Sequence, residues 1–541
     1  MSRKKRQFSL IAMTSIALAL TGCGGNSSNG NDATASSQAS SQASSQASGD
    51  AGVGAGKIVN EPMTLRVMLG EHPNQPLIID APSFALREAA TGVKLKIETV
   101  PSDNYEEKLH TLIATNNLPD IMYAEDTTIQ SFANTGLFLP ISDYLDHAPN
   151  LKKLIEENPQ INNLKIGDKL YGFPRLARYQ GSAGPFPMIR SDVMKELGLQ
   201  TPQTFDELYE TLKKMKEAYP DSQPMTIRWG TQQLLDVMTY PLGSGFDVYY
   251  DYDVDGGKWL YGPAHPEFKE ALEFLSKLYK EKLLDPDYAV STSDTWKEKL
   301  SSGKSLFFYD NIGYATAFGA SLKAADPDAA FEMIPNMANS QGQKRNYRFP
   351  DHWLTENFLI SSKVKNPEAV VRYLDWMYSE EGADITNFGK EGEHFTKENG
   401  EYKVTDGIKE KYGKETSLYK LQSDLGTGLL AFTLYIDERA TSMYSTPDSV
   451  KWSENIKRQE KDLKNGIVTR PLEPPLTKEE AEKVKRLRTD LNTVVFQEVD
   501  KFIMGVKPMD EFEAFAKKLQ KDGSGELESI FNEAQARLES Q

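Results

Sequence analysis

Thr64-Leu-Arg-Val-Met-Leu69, then Val93-Lys-Leu-Lys-Ile-Glu-Thr-Val100, then Asp120-Ile-Met-Tyr123: these three runs decide the architecture. The first and third read as short strands, and the second alternates apolar and polar residues as a half-buried strand does. Hydrophobic residues at helical spacing fill the gaps between them, over 79–90 and 104–115. A β-α-β-α-β rhythm predicts an α/β lobe on a largely parallel sheet.

Downstream, Thr204 and Glu207 form a capping-box pair that starts a helix over 205–218. Strands are expected over 224–229, 305–309 and 358–361, and a hairpin over 249–261 that turns at Asp255-Gly256-Gly257. Helices follow over 267–280 and over 368–378, the latter opened by Asn366-Pro367 and carrying the stripe Val370, Val371, Leu374, Met377. In the tail, Thr477 and Glu480 start a long helix whose Val484, Leu487, Leu491, Val494 and Val495 keep helical spacing to Ile503. Two shorter helices come after it.

Toward the N-terminus, Arg3-Lys4-Lys5-Arg6 precedes an apolar run over 8–20 that is short for a bilayer span. Residues 1–22 thus read as a secretory signal. Leu20-Thr21-Gly22-Cys23 resembles a bacterial lipobox, which makes the only cysteine the lipidated (palmitate-bearing) residue. Residues 23–57, rich in Ser, Gln and Ala, are expected to be a disordered linker reaching about 30 Å. The formal charge is −16, and −20 once the four leader cations are gone. Such acidity offers no footprint for nucleic acid. The expected location is the extracytoplasmic face of the cell membrane, reached through the N-terminal lipid alone.

Catalytic signatures are absent: no nucleophile elbow, phosphate loop, His-Glu-x-x-His or thiol pair occurs. The six histidines lack metal-ligand spacing, and no cofactor motif appears, so neither metal nor cofactor is expected. Asp251-Tyr-Asp253-Val-Asp255-Gly256 looks like the front of a calcium loop, but Gly262 stands where the bidentate Glu belongs. The protein is therefore read as a non-enzyme. Aromatics beside polar groups suit a sugar ring, whose flat face stacks while its hydroxyls take planar hydrogen bonds. Tyr171 near Arg175, Trp229 after Arg228, Asp310-Asn311 at a strand end, and Trp353 after Arg348 all fit that pattern. Each of them, taken singly, fits the core as well.

Leu118-Pro-Asp-Ile121, Leu170-Tyr-Gly-Phe-Pro-Arg175, Thr201-Pro-Gln-Thr-Phe-Asp-Glu-Leu208, Lys282-Leu-Leu-Asp-Pro286 and Asn387-Phe-Gly-Lys-Glu-Gly392 recur in an order and spacing that resembles one family. It is the extracellular solute-binding proteins (family 1 type) of carbohydrate ABC importers, in particular the lipoprotein branch with the alginate-oligosaccharide-binding proteins. The resemblance implies a two-lobed, type II periplasmic-binding-protein-like fold with a hinge and a helical C-terminal tail. Lobe 1 would comprise 58–175 plus 346–415, and lobe 2 179–345 plus 416–541. It implies a monomer that captures an oligosaccharide between the lobes and hands it to the transmembrane subunits of an ABC permease. A peptide or other polar solute, or a cell-surface polysaccharide-acting enzyme, are the alternatives. The calcium loop and one tryptophan of the alginate-binding members are missing, the latter replaced by Asn311. Arg175, Arg178, Arg228, Arg345 and Arg348 fall near the implied crossings. The expectation is that Arg175 or Arg348 touches ligand, against the alternative that they pair with carboxylates across the hinge.

Overall fold

The structure is a computed structural model and describes residues 58–59, 61–177, 184–254, 256–348, 357–413, 418–443, 446–462 and 466–540. The export signal, Cys23, the linker, Arg178 and Trp353 lie outside the described residues.

The first sheet has five strands in the order Val93–Pro101, Met63–Glu71, Ile121–Ala124, Asn357–Ile360, Gly172–Pro174. The first three run parallel, with Met63 opposite Val93 and Val67 opposite Ile121; Asn357–Ile360 is antiparallel to both its neighbours. Alternation along Met63–Glu71 sends Leu65, Val67 and Leu69 into one core and Met68 into another, with Met122 and Leu359. A sheet covered on both faces needs apolar residues at both parities, which is why this strand reads as a nearly continuous apolar run.

The second sheet is three antiparallel strands in the order Phe331–Met333, Phe186–Arg190, Phe307–Asp310. Ile189, Phe307 and Tyr309 face the larger core, while Phe186, Met188 and Phe308 face the smaller. The tail helix Lys478–Ile503 adds Val484, Leu487, Leu491, Val495, Val499, Phe502 and Ile503 to that larger core. Its capping box is complete: Thr477 Oγ1 accepts from Glu480 N, and Glu480 accepts from Thr477 N. At the Phe205–Ala218 helix only half the box forms, because Glu207 accepts from Gln203 N instead.

Two short parallel pairs stand where the chain passes between the sheets: Leu176–Ala177 with Tyr435–Ile436, and Asn346–Arg348 with Ile467–Thr469. A Cβ on Gly184 would lie 2.9 Å from Tyr347 O, so these passages pack main chain on main chain.

Three expectations change. Residues 224–229 form isolated bridges at Met225 rather than a strand, because Trp229 takes a left-handed conformation and ends the extended run. The first helix begins at Pro82, not 79, since proline suits a helix's first turn. Phe432, Leu434 and Tyr435, in the part read as lobe 2, pack into the first sheet's core. The hairpin is as expected, Val248–Asp251 pairing with Lys258–Tyr261. Among the described residues no helix is long and apolar enough to cross a membrane.

Candidate ligand cleft

Arg228 is buried between the second sheet and the turn at His72. The strand Phe307–Asp310 ends beside it, and its guanidinium donates to Asp310 twice, Nε to Oδ2 at 2.8 Å and Nη2 to Oδ1 at 3.0 Å. Rings surround the same guanidinium: Trp229 at 3.8 Å, Tyr314 at 4.9 Å and Trp296 at 5.3 Å from their centroids. Burial works against the charge, but Asp310 and Tyr314 more than offset it, so Arg228 is held above its ordinary pKa. The cluster is thus a neutral, fully paired ion pair in an aromatic collar.

Trp229 is the exposed member. It keeps 41% of its surface open and adopts φ 56°, ψ 26°, a conformation that costs a non-glycine residue about 1–3 kcal/mol. Gly230 follows at φ +69°, where a Cβ would lie 2.7 Å from Ala289 O. The strain turns the indole out of the wall at the start of the helix Gly230–Met238. Asn311 follows Asp310: its N donates to Asp310 Oδ1 at 2.7 Å, its Oδ1 accepts from Gly313 N at 2.8 Å, and its Nδ2 has no protein partner among the described residues.

The first lobe approaches this wall through two loops. Directly after its leading strand, His72 makes a turn in which its Nδ1 accepts from Asn74 N at 3.2 Å and its carbonyl from Gln75 N. The His72 Nε2 stands 3.2 Å from Arg228 Nη1 and 3.4 Å from Tyr314 Oη. Burial, then the charges of Arg228 and Lys297, push the imidazole down to about 3, so the ring is neutral. The second loop brings Asp103, whose carboxylate accepts from Ser293 N at 3.0 Å, Ser293 Oγ at 2.9 Å and Trp229 Nε1. Ser293 opens the helix Ser293–Ser301, so Asp103 caps a positive helix end across the lobes. Lys297 Nζ reaches back to Pro73 O.

Several polar atoms in this neighbourhood are buried without a partner: Asn74 Nδ2, Gln75 Oε1 and Thr427 Oγ1, with Gln75 Nε2 already on Thr427 O at 3.3 Å. Each orphan costs about 1–3 kcal/mol unless a ligand or water meets it.

Of the residues singled out in the sequence, Trp229, Asp310 and Asn311 come together here. Arg175 lies elsewhere: it is buried in the first lobe, its Nε donates to Thr433 O at 3.1 Å, and it lies over Phe358. Tyr171 is half-buried against the core that contains Met68 and Phe138. Arg348 belongs to the Asn346–Arg348 passage, with its carbonyl accepting from Arg470 N at 2.9 Å. His72, Asp103 and Ser293 escape sequence reasoning. Ligands of open α/β sheets collect at strand C-termini, a rule that would have picked out His72. Nothing local marks Asp103. The Asp251 carboxylate of the calcium-like run is engaged by Arg345 and by Tyr249 Oη, and no group of three or more potential metal ligands occurs among the described residues.

The chain belongs to the bacterial extracellular solute-binding proteins, whose family model matches residues 75–384. Among its relatives, a polygalacturonan/rhamnogalacturonan-binding protein of Bacillus subtilis is 26% identical, over 83% of this chain and 86% of that protein. The lipoprotein LipO of the same species is 27% identical over 67% of this chain and 73% of its own length. An alginate-binding protein, solved without calcium ion, superposes with a TM-score of 0.76 at 21% identity, over 89% of this chain and 99% of that one. The fold is accordingly the two-lobed one of solute-binding proteins.

Proposed function

We propose that this protein is the receptor of a carbohydrate ABC importer, anchored outside the cell by a lipid on Cys23, and that it closes its two lobes on an oligosaccharide. The observation that carries the reading is Trp229, held out by backbone strain next to the Arg228–Asp310 pair and the unpartnered Asn311 amide. A stacking face beside paired planar donors and acceptors is sugar-ring chemistry. Relatives that bind polygalacturonan and alginate point the same way. Because Arg228 is already neutralised by Asp310, this part of the wall suits hydroxyls.

Ligand acts by population shift. It touches both lobes only when they are closed, so it stabilises the closed form, which the permease reads. The protein makes and breaks no bond, works as a monomer and needs no cofactor or nucleic acid. Calorimetry and small-angle scattering against galacturonate, alginate and neutral oligosaccharides test this. Micromolar binding with a smaller radius of gyration is the expected result, and the absence of binding to every glycan would remove the carbohydrate assignment. Replacing Cys23 with Ser should release the protein from the cell surface.

A further inference from the structure

Between the strand Ile467–Thr469 and the tail helix Lys478–Ile503 the chain runs through Arg470-Pro-Leu-Glu-Pro-Pro-Leu-Thr477 without helix or strand. Pro471, Pro474 and Pro475 fix φ at about −65°, which keeps such a run stiff and extended. Both ends belong to the second lobe: Ile467 packs on its smaller core and the tail helix on its larger one. The middle does not. Leu472 packs against the core of the first sheet, while Leu476, four residues on, packs against the second lobe's larger core. Only about 50 Å3 of cavity separates the two sides there, with Ile129, Leu164 and Ile166 on the first lobe facing Leu472, Pro474 and Leu476. A second contact adjoins it. Lys485 of the tail helix lies 5.4 Å from the centre of the Phe132 ring, at the end of the first lobe's helix Asp126–Phe132.

Charge holds this run to the second lobe. Glu473 accepts from Arg488 Nη2 at 2.7 Å and from Nη1 at 3.5 Å, and Arg488 Nε stands 3.1 Å from Asp247 Oδ2. Burial opposes the charge on Arg488, but Asp247 and then Glu473 more than offset it, so the guanidinium stays charged. At the other end Arg470 N donates to Arg348 O at 2.9 Å, and the Arg470 guanidinium stands 3.5 Å from Asp236. Adjacent side chains of an extended chain point apart, which lets Glu473 grip its own lobe while Leu472 meets the other. A segment bolted to one lobe and padded against the other makes a contact that opening must break.

We propose that residues 470–476 are a closure strap: fixed to the second lobe through Glu473 and Arg488, it presents Leu472 to the first lobe and so sets what fraction of the ligand-free protein is closed. The strap acts on the equilibrium between lobe positions, whatever molecule the cleft takes, so it stands or falls apart from the carbohydrate reading. A smaller closed fraction lowers apparent affinity by the same factor, without loss of any contact to ligand.

The test measures lobe separation without ligand. Cys23 is the only cysteine, so a Cys23→Ser chain takes spin labels cleanly at Lys153→Cys in the first lobe and Lys517→Cys in the second, both exposed. Double electron–electron resonance then compares this labelled chain with the same chain carrying Leu472→Ala or Glu473→Gln. Each strap variant should lower the closed-to-open ratio about three- to tenfold. Val495→Ala is the control: it truncates a side chain buried in the second lobe's larger core, so it should lower the melt and leave the distances alone. Glu473 is half-buried, and its isosteric variant keeps the test decisive should Leu472→Ala fail to fold. Distances in the folded strap variants that match the unsubstituted chain, or that shift no more than Val495→Ala shifts them, overturn the strap.

Discussion

In the first lobe, the buried Arg87 guanidinium is taken up by main-chain carbonyls: Phe432 O at 2.7 Å, Ala431 O at 2.9 Å and Gly426 O at 3.1 Å. In the second, the equally buried Arg228 faces a carboxylate, a collar of rings and the opposite lobe. Arg87 ties its helix to chain about 345 residues later, and burial lowers its pKa to about 10 even though Tyr373 partly counters it. Arg228 keeps its charge through Asp310 and shapes a wall. The same side chain thus serves connectivity in one lobe and builds the proposed ligand wall in the other, and the partner decides which.

That contrast breaks most severely at Arg87. Replacing it with Ala leaves the buried carbonyls of Phe432 and Ala431 without its donors, while Gly426 O keeps Ser83 Oγ, and should cost about 3–5 kcal/mol. A urea titration would show it as a large fall in midpoint, with ligand affinity of the remaining folded protein unchanged; an unshifted midpoint would mean that the carbonyl ties are incidental. Trp229→Ala should do the reverse. As a binding anchor it should lose about 2–4 kcal/mol of affinity, roughly 30- to 1000-fold, in calorimetry. Its melt should stay near wild type, and Trp229→Gly should melt slightly higher because glycine relieves the left-handed strain.

Asp103→Ala sharpens the comparison from the first lobe's side. It removes the carboxylate that caps Ser293 and meets Trp229, so closure should weaken by about 1.5–3 kcal/mol. Scattering should find the ligand-free variant more open than wild type, and equal radii would mean that Asp103 holds nothing shut. The smallest effect is a pH dependence. His72 is depressed to about 3 when folded against 6.5 when free, so the unfolded chain binds the proton more tightly. Its stabilising share is complete above about pH 6.5 and is lost as pH falls toward 3, at most about 1.4 kcal/mol per pH unit. Comparing wild type with His72→Gln between pH 7.5 and 5 isolates it: the variant should lose less stability on acidification, because Arg228, Lys297 and Tyr314 remain while the titrating ring is gone.

Much of the fold was legible because the forces behind it are local. Strand alternation over 93–100, the Thr477–Glu480 capping box and Asn366 accepting from Ala369 N are all read within a few residues. The same local signals misjudge 224–229, where β-like residues give way to a left-handed tryptophan whose indole meets Asp103 from elsewhere in the chain. Trp229 and Asp310 could be named as candidate site residues from their neighbours; that both meet the Arg228 guanidinium could not.

Sequence alone determined the periodicities, the caps, the acidic surface and the family pattern, since each is carried by composition or by residues close along the chain. Only the tertiary structure decided which arginine meets which partner. Arg228 finds Asp310 82 residues away, His72 finds Arg228 across 156, Asp103 finds Ser293 across 190, and Arg175 turns to Thr433 O across 258. A guanidinium is equally satisfied by a carboxylate, a ring face or a carbonyl, so its identity leaves the choice open. Burial settles it, by bringing one partner within reach and excluding the water that would otherwise compete.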